Sequence, residues 1–457
     1  MRNNLQIALV AGFCFTLASI ISCSGDSESE PDASSSSAYT GDMGSCDEYF
    51  GDSISNRVIY VNGSWRGSEN GTLSNPYRTI QAAIDAASDS EIDIIRVAQG
   101  TYREAVNISQ KKVQLLGDSA NKTFIEGTSA APCISVNIDA REIPGSLVIC
   151  GFTIRGGKRG IELSGGWSGN LSNITIKNNI IEGNNLSAGD DTRGGGIGLE
   201  GTDVTIQGNL IRNNRAERGA AIGGTSDDIS NFLIADNRIE NNKGYGDHAG
   251  GVIINGTGTI TRNIFDGNVI DAESSNGYGW GGAITIVNYD TTKLITLSHN
   301  VWRNNRAPSR GGAVFVDEAA KVRIEHDLFY KNESKESGSA IYVDEDYDHN
   351  PSILYLDNCT VSGNISTNGS TGAALYVEAS NAYVQNSIFW NNGSDFEVVE
   401  GGHLTVNYTL TQQNFTGGTG NISSDPLFVN ASAGDFSLKP NSPAIKAGNG
   451  GVKLGIE

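Results

Sequence analysis

The sequence predicts an all-β solenoid, a parallel β-helix, and three observations predict it. First, an apolar residue, two spacers and an Asn recur eight times, as Ile181/Asn184, Ile211/Asn214, Ile239/Asn242, Phe265/Asn268, Trp302/Asn305, Phe329/Asn332, Val361/Asn364 and Phe389/Asn392. Second, seven of the eight are followed by small residues and then an apolar one: Gly195-Gly196-Ile197, Ala220-Ala221-Ile222, Gly250-Gly251-Val252, Gly282-Ala283-Ile284, Gly312-Ala313-Val314, Ser339-Ala340-Ile341 and Ala373-Ala374-Leu375. Third, the Asn residues are 30, 28, 26, 37, 27, 32 and 28 residues apart. A near-constant unit with variable insertions is how coils stacked along a rod look in sequence.

Short alternating segments flank each motif, such as Asn173-Ile174-Thr175-Ile176, Asp203-Val204-Thr205-Ile206 and Lys321-Val322-Arg323-Ile324. They are too short and too β-branched for helices and read as the strands of the coils. With one unit per coil, equivalent residues stack about 4.8 Å apart and apolar side chains form inward columns. Asn at the bends tolerates left-handed backbone angles and stacks into an amide ladder, and the small residues permit the sharp turn that follows. The repeated Asn residues are therefore structural, not catalytic.

Residues 1–22 read as a signal peptide: Arg2, an apolar run from Leu5 through Ile21, then Ile20-Ile21-Ser22-Cys23. The run is too short and wrongly flanked for a spanning helix. Its ending resembles the lipobox of bacterial lipoproteins, which implies lipidation of Cys23 and anchoring to a membrane by acyl chains. Ser24, and not Asp, follows Cys23, which by the same resemblance implies the bacterial outer membrane, facing the surface or the periplasm. Residues 23–56 read as a tether, Ser-rich and acidic, with no Lys or Arg between Ser24 and Glu48. Such a stretch has too little apolar surface to order itself.

Residues 57–128 read as an N-terminal cap with the first coils. Thr79 caps a short helix with Ile80, Ala83, Ile84 and Ala87 on one stripe, placed to cover the open end against strand addition. The block Val58-Ile59-Tyr60-Val61-Asn62-Gly63, Asn75-Pro76-Tyr77-Arg78-Thr79-Ile80 and Ala98-Gln99-Gly100-Thr101-Tyr102 resembles the opening of secreted right-handed parallel β-helix proteins of the pectate-lyase-like superfamily. Residues 129–415 read as the β-helix repeats. Over residues 176–392 they resemble the F-x-x-N and G-G-A-[ILV] repeats of chlamydial polymorphic membrane proteins, without the amphipathic strands of a membrane barrel behind them. Residues 416–457, with Ser424-Asp425-Pro426-Leu427-Phe428 and Ser442-Pro443-Ala444-Ile445, resemble the segment that follows many such helices and read as a C-terminal cap.

The chain carries a net charge of -20 over 457 residues. That disfavours nucleic acid and any polyanion not bridged by cations. Cys133 and Cys150 lie in neighbouring strand-like segments, where they either pair or sit as small buried residues. No spacing of cysteines suggests zinc.

Residues of equal repeat phase become neighbours in the stack, so the segments between each Asn and the following small-residue turn are expected on one edge. They hold Asp190, Asp191 and Arg193; Arg215, Glu217 and Arg218; Lys243, Tyr245, Asp247 and His248; Asp271, Glu273, Tyr278 and Trp280; Arg306 and Arg310; and Glu333, Lys335 and Glu336. Aromatic rings beside charged groups suit sugar or protein contact, and Tyr245, Asp247, His248, Tyr278, Trp280, Arg306 and Arg310 are the expected binding residues. A second column, three residues before each apolar position, runs Asn178, Gly208, Asp236, Arg262, His299, His326, Asn358 and Asn386. It stacks His299 on His326 near Glu325 and Asp327, either as bend residues or as an acid/base or metal site.

Resemblance to pectate-lyase-like enzymes implies either Ca²⁺ with a Lys or Arg base, or clustered Asp residues as acid and base. Lys158, Arg159, Arg193, Asp190 and Asp191 stand isolated in the sequence, and no compact Asp-rich constellation is legible. The acidic run Asp344-Glu345-Asp346-Tyr347-Asp348-His349 is a Ca²⁺ candidate without regular ligand spacing. No catalytic residue, cofactor or metal site is therefore assigned. The expected function is a lipid-anchored surface module that binds a glycan or surface protein, with a polysaccharide lyase, hydrolase or epimerase as the alternative.

Overall fold

The computed structural model describes Cys46 and residues 57–456, apart from 138–146, 165–170, 188–192, 201, 225–230, 272–277, 289, 291, 368–371 and 414. The signal peptide, Cys23, all of the tether but Cys46, and Asp190, Asp191 and Glu273 lie outside the described residues.

The chain winds as a parallel β-helix. One coil runs through Thr202–Gln207, Leu210–Arg212, Arg215–Ala216 and Ile222–Gly224 before Asn231–Ala235 begins the next. Stacking such coils builds four parallel sheets, here called I to IV in the order that this coil passes through them. Among the described residues they hold 13, 12, six and 11 strands. Sheet I starts at Val58–Val61, sheet II at Gly100–Tyr102, sheet III at Arg215–Ala216 and sheet IV at Val106–Ser109.

Register explains the apolar half of the repeat. Ile181, Ile211, Ile239, Phe265, Trp302, Phe329, Val361 and Phe389 pair in one line along sheet II. All eight are wholly buried. Alternation along a three-residue strand sends the middle side chain inward, so one apolar residue per coil fills the core. Aromatic members stack, Phe265 on Trp302 at 4.0 Å and Trp302 on Phe329 at 5.7 Å between centroids.

The Asn half of the repeat divides its two expected tasks between neighbouring residues. Left-handed angles belong to the residue before each ladder Asn, such as Asn213 (φ 55), Asn241 (φ 54), Gly267 (φ 66) and Asn304 (φ 55). The following Asn turns inward and stacks. Asn214 Nδ2 donates to Ile181 O at 2.9 Å and to Asn242 Oδ1 at 3.1 Å, and its backbone N–H donates to the same Oδ1 at 3.0 Å. The pattern runs from Asn184 to Asn392. A carboxamide suits this place because it accepts from one coil and donates to another, leaving no buried polar atom unpaired.

A second ladder occupies the bend between sheets I and II. The column Asn178, Gly208, Asp236, Arg262, His299, His326, Asn358 and Asn386 takes left-handed angles throughout. The next residues, Asn179, Asn209, Asn237, Asn263 and Asn300, form the buried ladder, and Asp327 follows them. The small residues of the repeat sit where backbones nearly touch: a Cβ on Gly282 would lie 2.2 Å from Gly312 O.

The helix Ile80–Asp85 is capped by Thr79, whose hydroxyl accepts from Ala82 N at 3.2 Å, and it buries Ile80, Ala83 and Ile84. Cys150 does not pair with Cys133. It is bridged to Cys46, with Cα atoms 6.0 Å apart, while Cys133 is a buried free thiol pushed up to about 11 by burial. The carboxyl end does not stay at the end of the rod. Phe428–Asn430 pairs antiparallel with Asp435–Leu438. The segment then runs back along sheet II as a strap, with Phe436 against Val301, Leu328 and Tyr330, and Ala444 and Leu454 against Ile388 and Leu410.

Candidate active site on the outer face of sheet IV

The segments expected to share one edge are divided in two, because the chain inserts the two-residue strands of sheet III before turning into sheet IV. Arg306 falls on sheet III in line with Lys243, Val269 and Glu333, with Arg215 one coil further. Tyr245 folds back under the Arg215 guanidinium, 5.2 Å from the ring centroid, and donates its hydroxyl to Leu186 O at 3.0 Å. Tyr278 stands exposed. Only Asp247, His248, Trp280 and Arg310 of the seven gather, since His248, Trp280 and Arg310 are in register at the rim of sheet IV.

At that rim Asp247 lies 2.8 Å from Arg218 Nε and 2.9 Å from His248 Nδ1. Burial alone would raise its pKa, but His248 and Arg218 outweigh burial and hold the carboxyl far below its usual range. Trp280 is not a free platform. It is flanked by His248 at 4.8 Å and Phe315 at 5.9 Å, and the file continues through Tyr342 and Tyr376 at 5.4 and 4.7 Å.

Beside this aromatic file is a carboxylate cluster that the sequence reading missed. Val316, Val343 and Val377 are in register, so the residues after them, Asp317, Asp344 and Glu378, follow one another on adjacent coils. The signal lay in repeat phase. Each acid is the third residue after the apolar member of the small-small-apolar step, Val314, Ile341 and Leu375, and the first residue after it is Phe315, Tyr342 or Tyr376. Scanning for dense Asp runs cannot see acids spaced a whole coil apart.

Arg310 ties Asp344 and Glu378 of this cluster together. Its Nη1 lies 3.2 Å from Glu378 Oε2 and 3.4 Å from Asp344 Oδ2, its Nε lies 3.5 Å from Glu336 Oε2, and its guanidinium covers the Tyr342 ring at 4.9 Å. The Tyr342 hydroxyl donates to Glu378. One cation does not neutralise four acids. Burial, with repulsion from Glu318, Asp344 and Asp346, pushes Asp317 up to about 7 against a single helping N–H from Glu318 at 2.8 Å. Burial and Glu378 push Asp344 up to about 6, opposed by the Glu345 N–H and Arg310. Two carboxyls held near neutrality, one protonated more readily than the other, can exchange protons with a substrate. Burial alone would lower the Arg310 pKa, but Tyr342 and the acids outweigh it and raise it, so Arg310 is a fixed cation and not a base.

The other candidates do not assemble into a centre. His299 stacks on His326 at 4.9 Å, but Asp327 points inward, away from both, to the ladder and to Trp302. Arg262 is held by Asp236 at 2.6 Å. Arg159 is buried and pairs with Glu162 and the carbonyls of Arg193 and Gly194. In the Asp344–His349 loop, Glu345 bonds His349 and Asp346 bonds Asn350. Among the described residues no group of three or more His, Cys, Asp or Glu side chains is placed to hold a metal ion.

With the coil geometry in view, the model of the right-handed β-helix region matches residues 121–296 and 281–417, more than half of the chain. The chain belongs to the right-handed β-helix family. Within this β-helix protein, residues 68–137 also match the pectinesterase model, a stretch that contains none of the sheet IV carboxylates. A probable pectinesterase/pectinesterase inhibitor 17 of Arabidopsis thaliana is 46% identical over 57 residues, which are 12% of this chain and 11% of that protein. The β-helix protein thus spans about a tenth of that curated relative. Among solved structures it is similar to the Agl-KA catalytic domain, at 16% identity and TM-score 0.44, over 71% of this chain and 64% of that one. It is similar to the pectate lyase Pel9A at 15% identity and TM-score 0.43, covering 87% and 92%. The pectin methylesterase from Aspergillus niger is 12% identical with a TM-score of 0.25, covering 86% and 94%.

Proposed function

We propose that the protein is a polysaccharide-processing hydrolase whose acid/base pair is Asp317 and Asp344. The observation that carries this reading is the pair itself: two carboxyls on adjacent coils, pushed up to about 7 and about 6, with Asp344 held 3.4 Å from the fixed cation Arg310. The match of residues 68–137 to the pectinesterase model supports a carbohydrate substrate and names ester hydrolysis as the first reaction to try. A β-elimination route is less well supported, because it needs a Lys or Arg that gives up its proton, and Arg310 is held charged. Adhesion finds no support among the matched proteins, and its aromatic platform is weakened by Trp280 lying between His248 and Phe315.

In this mechanism Asp344, ionised and held by Arg310, takes a proton from water as the water oxygen bonds to the acyl or anomeric carbon. Asp317 gives its proton to the departing oxygen as the old bond breaks. Solvent returns the proton from Asp344 to Asp317, so the net change is one water added across one bond. Glu378 and Tyr342 fix Arg310, which stabilises the charge that develops. Anchorage through Cys23 belongs to the same proposal. The Cys46–Cys150 bridge supports it, since disulfides persist in oxidising compartments outside the cytoplasm.

The test is a polysaccharide panel, esterified and de-esterified, read for released methanol or acid and for new reducing ends, with wild type beside Asp344→Asn. Product from wild type that Asp344→Asn does not form is the expected result. Product formed equally by both, or ultraviolet-absorbing unsaturated ends in place of these products, would overturn the proposal.

A further inference from the structure

The strap that returns along sheet II does not close tightly on the bend between sheets I and II. Between them lies a cleft of about 520 Å³, lined by His326, Asn358, Gln385, Asn386, Asn449 and Lys453, with Val452 and Gly455. It belongs to a different corner of the coil from the carboxylates on sheet IV, so nothing in the proposed chemistry accounts for it.

The strap is pinned on both sides of the opening, which makes the cleft a built feature of the fold. Asn449 N donates to Asn386 Oδ1 at 2.8 Å, Gly455 N to Asn386 O at 2.8 Å and Ile456 N to Thr360 Oγ1 at 3.2 Å. The floor is made of bend residues in left-handed conformation, His326 (φ 57), Asn358 (φ 50) and Asn386 (φ 49), all of which line the opening. His326 is stacked on His299, and its Nδ1 is buried without a hydrogen-bond partner.

We infer that this cleft is a second carbohydrate site that takes a neutral mono- or disaccharide. A volume of this size is that of a small-molecule site. Asn386 is taken up by the strap and by Asp357, but the carboxamides of Asn358, Gln385 and Asn449 also line the cleft, and each offers a donor and an acceptor, the combination that a hydroxyl satisfies and a carboxylate does not. The Asp357 carboxylate accepts from Asn386 Nδ2 at 2.9 Å beside the floor, and a negative charge there disfavours an anionic sugar. Val452 supplies an apolar patch for the ring carbons of a sugar face. The inference stands on the cleft and holds whether or not sheet IV is catalytic.

The experiment is a calorimetric titration of the full chain with D-glucose, D-galactose, cellobiose and sodium D-galacturonate. At least one neutral probe is expected to bind saturably at one site per chain. Affinity is expected to fall about tenfold in Asn358→Gly and in Gln385→Ala, a loss the size of one hydrogen bond. Gly accepts the left-handed angle of Asn358, so that variant removes the amide without straining the bend. Val452→Trp, on the strap, blocks the cleft by bulk and leaves the bend untouched. Asp344→Asn is expected to leave binding unchanged. Absence of saturable binding, preference for galacturonate, or binding lost in Asp344→Asn but retained in the cleft variants would each overturn the inference.

Discussion

Trp302 Nε1 donates to Asp327 Oδ2 at 2.7 Å inside the core of the helix, at the one rung of the sheet I/II ladder where a carboxyl stands between Asn300 and Cys359. Asp327 also accepts from Asn300, through the backbone N–H at 2.8 Å and through Nδ2 at 3.3 Å. Complete burial overrides these bonds, with Glu325 adding repulsion, and pushes Asp327 up to about 7.

A carboxyl whose pKa is raised on folding contributes stability that is fully present below its unfolded value, near 4, and is lost as pH rises through its folded value. The midpoint of thermal unfolding is therefore expected to fall between about pH 4 and 7, and to fall less in Asp327→Asn. Asp317 and Asp344 titrate in the same window, so the slope decreases without vanishing. A wild-type and Asp327→Asn pair with parallel profiles would remove the ladder carboxyl from the account.

Neighbouring residues at one bend are expected to respond unequally. Asn242→Ala removes donors to Ile211 O and Asn268 Oδ1 and strands the groups of Asn214 that it accepts from, a loss of about 3 kcal/mol. Asn241, one residue earlier, carries the left-handed angle, so Asn241→Gly is expected to be near neutral and Asn241→Ala to cost about 1 kcal/mol. Chemical denaturation followed by circular dichroism ranks the three. Equal losses at both positions would contradict the division of roles.

The bridge between Cys46 and Cys150 closes a separation of 104 residues. Cross-links of such loops stabilise by about 2–4 kcal/mol in most proteins. Reduction, or Cys46→Ser, is expected to lower the unfolding midpoint, and mass mapping of the oxidised chain should find a peptide pair containing Cys46 and Cys150. A pair containing Cys133 would refute the assignment.

The repeat made the coils legible in sequence because one rule, an inward apolar residue followed by a ladder Asn, acts in every unit. A separate signal, the Thr79 cap followed by an apolar stripe at helical spacing, placed Ile80, Ala83 and Ile84 on the buried face of the capping helix. What stayed hidden depends on short-range detail that a period does not carry. Two residues of sheet III, such as Arg306-Ala307, turn the chain and separate Arg306 from Arg310. The partner of Cys150 comes from an acidic segment with no pattern. Asp317, Asp344 and Glu378 were visible as a group only by reading each repeat three residues past its apolar position.

The pH dependence of hydrolysis, once the polysaccharide panel has supplied a substrate, tests the central claim most directly. Activity needs Asp344 ionised and Asp317 protonated, so a bell is expected with its maximum between about pH 6 and 7, the limbs belonging to the coupled pair. Asp317→Asn is expected to cost about 10²-fold or more and to remove the alkaline limb, since the amide has no proton to lose. A profile that stays flat from pH 5 to 8, or an alkaline limb that persists in Asp317→Asn, would contradict the assignment of this pair as acid and base.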